Sequence, residues 1–165
     1  MTAIIFDLDG TIIDTSAIRE LRDACRWKDC ARRAAQTSVF PGILDLLDIL
    51  NAEDVRIGLC TSAVSFYARA LLEHHDINGF AAVICYHDAR PPKPNPAPIV
   101  ATLTKLQAEP AVAIGIGDRM EDALAYRGAG VYSIGAGWNP ALDRSAAWDL
   151  IAATPADVIQ LARRR

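Results

Sequence analysis

Two carboxylates follow an apolar run near the start of the chain. Residues 3–15 have the sequence AIIFDLDGTIIDT, and the first four are apolar enough to form a strand buried on both faces. Alternate strand residues point to the same side, so Asp7 and Asp9 can face one space. Two neighbouring aspartates at a buried strand end repel each other, which favours a cation beside them. The pair predicts a magnesium-dependent or acid–base site, because the alternative of an Asp9-Gly10 turn does not explain Asp7.

Further polar residues stand where later apolar runs end or in the loops beyond them: Thr61, Ser62, Lys93, Asp118, Arg119 and Asp122. Strand and helix alternate along the chain, which predicts an α/β fold, a three-layer, doubly wound parallel sheet with a short helical insertion after the first strand. The site of such a sheet lies outside the C-terminal ends of its strands. We therefore expect Thr61, Asp118 and the loop of Lys93 to share one edge with Asp7 and Asp9.

The elements that position these residues follow from periodicity and from helix and turn signals. Strands are predicted at 3–6, 55–60, 81–86, 111–117 and 131–134. Helices are predicted at 16–36, 43–53, 64–75, 96–107, after Asp118 to about 128, at 142–151, and from Thr154 onwards.

Composition narrows the class of protein. The chain has 165 residues, 52% of them apolar and 22% charged, as in an ordinary single globular domain. The net charge of −3 argues against general nucleic-acid binding. No apolar run approaches the roughly 20 residues of a membrane span. We therefore expect no cleaved signal peptide and no membrane association. The cysteine spacing does not suit a zinc site, so we expect reduced thiols in a cytoplasmic protein.

The motifs together resemble a known family. The segment DLDGT at 7–11 is similar to the first motif of the haloacid dehalogenase (HAD) superfamily, most of whose members are phosphatases. Thr61 matches the second motif, Lys93 resembles the third, and GDRMED at 117–122 resembles the fourth, Gly-Asp-x-x-x-Asp. The resemblance covers nearly the whole chain, with the motifs in the family's order.

The resemblance implies a mechanism. Asp7 would be the nucleophile and form an aspartyl-phosphate, while Asp9 would protonate the leaving oxygen and then activate water. Magnesium would be held by Asp7, Asp118 and Asp122 with the backbone carbonyl of Asp9. The family's dehalogenases and phosphonate-cleaving members lack an acid at the position of Asp9. The resemblance therefore favours phosphate esters or anhydrides as substrates.

Lys93 and Thr61 would bind the phosphoryl oxygens. Gly10, Thr11, Ser62, Arg119 and Trp138 are further candidates for binding the substrate. Trp138, in a glycine-flanked loop, is compatible with stacking on a base or sugar or with anchoring that loop. Taken alone, Asp118 is better explained as a cap of the following helix, in a capping box completed by Glu121.

The segment between 14 and 40 has room for only a helix or a helical hairpin. We therefore expect one domain over 1–165 in which 16–38 is a minimal helical cap. With so small a cap, the substrate is either a phosphorylated macromolecule or polymer end, or a small organic phosphate under an oligomer partner. Residues 19–33 form a basic segment that is compatible with a solvated face or with an anionic polymer; its basic residues are Arg19, Arg22, Arg26, Lys28, Arg32 and Arg33.

The leading hypothesis is a magnesium-dependent phosphomonoester hydrolase. A phosphotransferase or phosphomutase would share the first step but must exclude water afterwards. A phosphate-binding module without turnover is the third hypothesis.

Overall fold

A computed structural model of the chain describes residues 2–53 and 55–164. The strands are β1 (Ala3–Phe6), β2 (Ile13–Asp14), β3 (Ser38–Val39), β4 (Arg56–Cys60), β5 (Ala82–Ile84), β6 (Ala113–Gly117), β7 (Tyr132–Ala136) and β8 (Leu150–Ala152). The α-helices are α1 (Arg19–Asp23), α2 (Trp27–Arg32), α3 (Ile43–Ala52), α4 (Ser65–His74), α5 (Ala97–Leu106), α6 (Met120–Gly128) and α7 (Pro155–Arg164).

Six strands form one parallel sheet in the order β5-β4-β1-β6-β7-β8. Strand β1 lies inside the sheet between β4 and β6, and all four of its side chains are buried. Ile4 and Phe6 belong to the hydrophobic cluster on one face, and Ala3 and Ile5 to the cluster on the other. The apolar run before Asp7 is therefore explained by burial on both faces.

Helices cover both faces of this sheet. Buried residues of α3, α4 and α7 pack in the cluster that contains Ile4, and those of α5 and α6 pack in the cluster that contains Ile5. This arrangement confirms the predicted three-layer, doubly wound α/β fold. None of the helices in the described residues combines the length and the apolar character needed to cross a membrane.

The helix predicted over 16–36 is interrupted. Two short helices, α1 and α2, are separated by Cys25, whose φ of 53° is left-handed and incompatible with a continuous helix. The amide of Arg26 bonds back to the carbonyl of Leu21 and closes the first helix. Strands β2 and β3 pair antiparallel on either side of this segment and join its two ends. The helical hairpin, the second form expected for this insertion, is the better description.

The prediction of a helix over 142–151 is wrong. Asp143 Oδ1 accepts bonds from the amide and hydroxyl of Ser145, which closes a turn that competes with helix formation. Residues Leu150–Ala152 instead form the sixth strand along the free edge of β7. Asp149 fastens this strand by accepting bonds from the amide and hydroxyl of Ser133 at 2.8 Å each.

Candidate active site

The chemistry-bearing residues meet at the carboxyl edge of the sheet. Asp7 follows β1, Thr61 follows β4 and Asp118 follows β6, and the three side chains are buried. The amide of Asp7 still bonds to the carbonyl of Ile116, so the strand pairing fixes the backbone of this aspartate. A cavity of about 280 Å³ opens here; its lining includes Asp7, Asp9, Arg22, Trp27, Thr61, Ser62, Lys93, Arg119 and Asp122.

Three carboxylates form a cluster in this site. Oxygen atoms of Asp7, Asp118 and Asp122 lie within 4.8 Å of one another, and all three residues are buried. Burial, opposed by Lys93, raises the pKa of Asp7 to about 7. Burial together with the charges of Asp7 and Asp122 raises the pKa of Asp118 to about 8. Burial and mutual repulsion thus disfavour the simultaneous ionisation of Asp7 and Asp118.

Lys93 lies within the carboxylate cluster. Its ammonium donates to Asp7 Oδ1 at 2.8 Å, to Asp122 Oδ1 at 2.5 Å and to the carbonyl of Cys60 at 3.0 Å. Burial alone would lower the pKa of this amine, but Asp122 and Asp7 outweigh it and raise the pKa well above its usual value. Lys93 is therefore a charged, fixed contact of Asp7 beside the cavity.

Asp122 also holds the backbone of the loop that carries Asp118. Its Oδ2 accepts from the amides of Asp118 at 3.3 Å and Arg119 at 3.1 Å. Helix α6 therefore begins after Arg119 and is capped by Asp122. The alternative in which Asp118 caps this helix with Glu121 is wrong, and the side chain of Asp118 is left for the cluster.

Gly10 lets the first loop approach Asp118 closely. Its φ of 84° is left-handed, and a Cβ on it would lie 2.3 Å from Asp118 Oδ2. Asn139, in the loop after β7, donates to the carbonyl of Gly10 at 2.8 Å and to the same Asp118 oxygen at 3.2 Å. Sequence reasoning missed Asn139, although its place after a strand end was a usable signal.

Asp9 has two side-chain partners that sequence reasoning did not assign to it. The hydroxyl of Tyr67 donates to Asp9 Oδ1 at 2.6 Å, and Arg22 Nε lies 3.1 Å from the same oxygen as an ion pair. Tyr67 lies in α4 and Arg22 in α1 of the insertion. Tyr67 fell within the helix predicted over 64–75 without an assigned role, and Arg22 stood among the basic residues of 19–33.

The predicted substrate-binding residues separate into two groups. Ser62 and Arg119 line the main cavity, and Gly10 lines a smaller one of about 80 Å³ beside Asp118. The side chain of Thr11 is fully buried, and Trp138 donates to the carbonyl of Thr11 at 2.9 Å while packing against the core. Trp138 therefore anchors its loop, and neither residue is in the lining of these two cavities.

Part of the positive charge of the basic segment 19–33 is paired within the protein. Arg26 and Arg32 lie 2.7 Å and 3.5 Å from oxygens of Asp29, and Arg22 faces Asp9. The binding of an anionic polymer by this segment stays a prediction.

The doubly wound parallel sheet, with a carboxylate cluster, a buried lysine and a threonine at its carboxyl edge, defines a protein of the α/β class whose candidate active site lies at the strand ends. The family model described as haloacid dehalogenase-like hydrolase matches residues 19–136. The chain belongs to this family, and the predicted resemblance is confirmed.

Curated relatives are phosphatases. A phosphoglycolate phosphatase of Rhodospirillum rubrum is 38% identical over 98 residues, which cover 59% of this chain and 41% of the relative. The pyrophosphatase PpaX of Bacillus velezensis is 26% identical over an alignment of 187 positions, gaps included, that covers 84% of each chain. The chain spans about two fifths of the length of the phosphoglycolate phosphatases that it matches, 40% for that of Salmonella choleraesuis.

Solved structures share the fold. CbbY from Rhodobacter sphaeroides in complex with phosphate superposes with a TM-score of 0.82 at 18% identity, covering 96% of both chains. A hydrolase from Pseudomonas syringae superposes with a TM-score of 0.81 at 23% identity, covering 99% of both. These structures establish the fold of the chain.

Proposed function

We propose that this protein is a magnesium-dependent phosphomonoester hydrolase that acts through an aspartyl-phosphate on Asp7. The observation that carries the proposal is the position of the Asp7 carboxylate. One of its oxygens contacts Lys93, the carboxylate belongs to the acidic cluster, and the side chain lines the cavity together with Asp9 and Thr61. A phosphoryl group in this cavity would meet a nucleophile, an acid and a cation at once.

The chemistry runs in two steps. An oxygen of Asp7 attacks phosphorus, the bond from phosphorus to the leaving oxygen breaks, and Asp9 supplies that oxygen with a proton. Asp9, now a carboxylate, takes a proton from a water molecule whose oxygen attacks phosphorus. The bond from phosphorus to Asp7 breaks, which regenerates the Asp7 carboxylate and releases inorganic phosphate. Lys93 and Thr61 stabilise negative charge on the phosphoryl oxygens.

The carboxylate cluster fits a divalent cation of the magnesium type. Its donors are oxygens, and Asp118 Oδ1 is buried without a hydrogen-bond partner. Asp7, Asp118 and Asp122 would hold the ion, with the backbone carbonyl of Asp9 as a further ligand. When bound, the ion offsets repulsion between these carboxylates and the substrate phosphate.

The substrate that we propose is a small phosphate ester or anhydride whose leaving group carries a second negative charge. The relatives' names specify phosphoglycolate and pyrophosphate, and both compounds have that property. In this chain, Arg119 lines the cavity and can receive the second charge, since the charge of Arg22 is paired with Asp9. A polymer end is less favoured because part of the basic segment is paired internally.

Two further points belong to the proposal. A second copy of the chain covers the site during turnover, because the insertion that borders the cavity consists only of short helices. The protein acts in the cytoplasm, in keeping with four cysteines that are all free thiols.

The test is phosphate release from a panel of phosphorylated compounds with and without magnesium. The panel contains phosphoglycolate, pyrophosphate, sugar phosphates, nucleotides, phosphopeptides and phosphorylated oligonucleotides. Asp7→Asn should abolish release, whereas Asp48→Asn, which alters an exposed carboxylate on α3, should leave it unchanged.

The outcomes separate the hypotheses. Magnesium-dependent release that disappears only in Asp7→Asn supports the hydrolase, and the best substrate decides between small anions and polymer ends. Formation of a phosphoenzyme without net phosphate release would favour a phosphotransferase. Phosphate binding without turnover of any compound would favour a binding module.

A further inference from the structure

The hydrogen bond between Tyr67 and Asp9 joins two buried groups that lie 58 positions apart in the sequence. The tyrosine is fully buried on the inner face of α4, where Ala68 and Leu71 are also buried. Its hydroxyl donates a hydrogen bond to Asp9 Oδ1 at 2.6 Å. The packing of α4 thereby sets the position of one carboxylate oxygen of Asp9.

Both side-chain contacts of Asp9 use the same oxygen. Arg22 Nε lies 3.1 Å from Oδ1, and Nη1 of Arg22 donates to the hydroxyl of Thr15 at 2.7 Å. With Oδ1 held by a phenol and a guanidinium, Oδ2 is the oxygen left to exchange protons in the cavity that Asp9 lines. The hydrogen bond from Tyr67 and the ion pair with Arg22 therefore fix which face of the carboxylate meets the substrate.

The insertion supports the same arrangement through a ring contact. Trp27 of α2 packs on the ring of Tyr67 with centroids 5.3 Å apart and an angle of 44° between the ring planes. Trp27 also lines the main cavity. The insertion thus contacts Asp9 directly through Arg22 and indirectly through the Trp27–Tyr67 pair.

We infer that Tyr67 is a positioning residue for the proton transfer performed by Asp9, an inference that depends on the proposed hydrolase function. By holding Oδ1, Tyr67 directs Oδ2 toward the leaving oxygen. As the Asp7–phosphorus bond forms, the bond from phosphorus to the leaving oxygen breaks and the proton on Oδ2 passes to that oxygen. Tyr67 keeps its own proton throughout and does not touch the substrate.

The role can be tested with leaving groups that need a proton to different extents. Phenyl phosphates, from 4-nitrophenyl to unsubstituted phenyl, have similar shapes but leaving groups of different quality. Only the poorer leaving groups depend on a general acid. The measured quantity is kcat/KM, which reports the steps through formation of the phosphoenzyme and so isolates this transfer. Tyr67→Phe keeps the ring that Trp27 contacts and removes only the hydroxyl.

We expect Tyr67→Phe to lower kcat/KM about tenfold more for phenyl phosphate than for 4-nitrophenyl phosphate, the size of effect that follows from losing a hydrogen bond to a charged group. Asp9→Asn should show the same selectivity with a larger amplitude. Tyr126→Phe is the matched control, because the Tyr126 hydroxyl is also buried but donates to the backbone carbonyls of Ile5 and Ile116. Any loss in that variant should be equal for all leaving groups.

The following outcomes would overturn the inference. An equal loss for all leaving groups in Tyr67→Phe would show a structural role, and no loss would show no role. Absence of magnesium-dependent turnover by the wild type would overturn the proposed function and this inference together. Wild-type turnover that Asp7→Asn abolishes, combined with an unselective Tyr67→Phe, would overturn the inference alone.

Discussion

Replacing Gly10 by alanine tests the close approach of the first loop to Asp118. Gly10 and Gly42 have the same φ of 84°, so alanine meets the same backbone strain at either position, about 1–2 kcal/mol for a left-handed conformation. The space around the two glycines differs. A Cβ at Gly42 would meet its nearest neighbour, Pro155, at 3.6 Å, whereas one at Gly10 would lie 2.3 Å from Asp118 Oδ2.

The overlap sets the expected magnitude. The Cβ at Gly10 would lie 1.3 Å closer to its neighbour than the Cβ at Gly42, the difference between 3.6 and 2.3 Å. Relieving the overlap displaces the carboxylate of Asp118 by about 1 Å, and a misplacement of that size in an active site costs up to about 100-fold in rate. We therefore expect Gly10→Ala to lose about 100-fold in kcat and Gly42→Ala to retain its kcat.

The assay combines denaturant unfolding with phosphate release. Both variants should lose about 1–2 kcal/mol in the free energy of unfolding from the shared strain, and only Gly10→Ala should lose the gain in stability from magnesium. Equal kcat values for the two variants would refute the close approach of Gly10 to Asp118.

Three further predictions concern charge. Magnesium should raise the Tm of the wild type but not of Asp118→Asn, because an ion bound only by the folded state stabilises it; calorimetry with and without EDTA measures this. Lys93→Met should lower the free energy of unfolding by about 3–5 kcal/mol, because it leaves two buried carboxylates unpaired, whereas Lys105→Met on the surface should not. Burial, with a contribution from His74, lowers the pKa of His75 from 6.5, so the folded state favours the neutral ring. The neutral His75 ring contributes fully to stability above the ordinary pKa of 6.5, and this contribution is lost as the pH falls below 6.5. His75→Gln should therefore lose less Tm than the wild type below that pH. An unchanged dependence of Tm on pH would contradict the expectation.

Much of the fold could be predicted because local signals were consistent with it. The apolar run before Asp7 predicted an inner strand, and β1 is buried on both faces. The strand-end rule also indicated that Thr61 and Asp118 would share an edge with Asp7, and they do. The prediction failed where tertiary contacts outweigh propensity, as in Leu150–Ala152, which pairs with the edge of β7.

The sequence by itself determined the parallel α/β class, the family and the group of residues at the carboxyl edge, because these depend on residue types, spacing and chain order. Only the tertiary structure decided which atoms meet. Lys93 joins Asp7 to Asp122, and Tyr67 holds Asp9 from a helix 58 positions away. Such contacts depend on how separate helices and loops pack against the sheet. The periodicity of one segment does not indicate which residue of another segment it will contact.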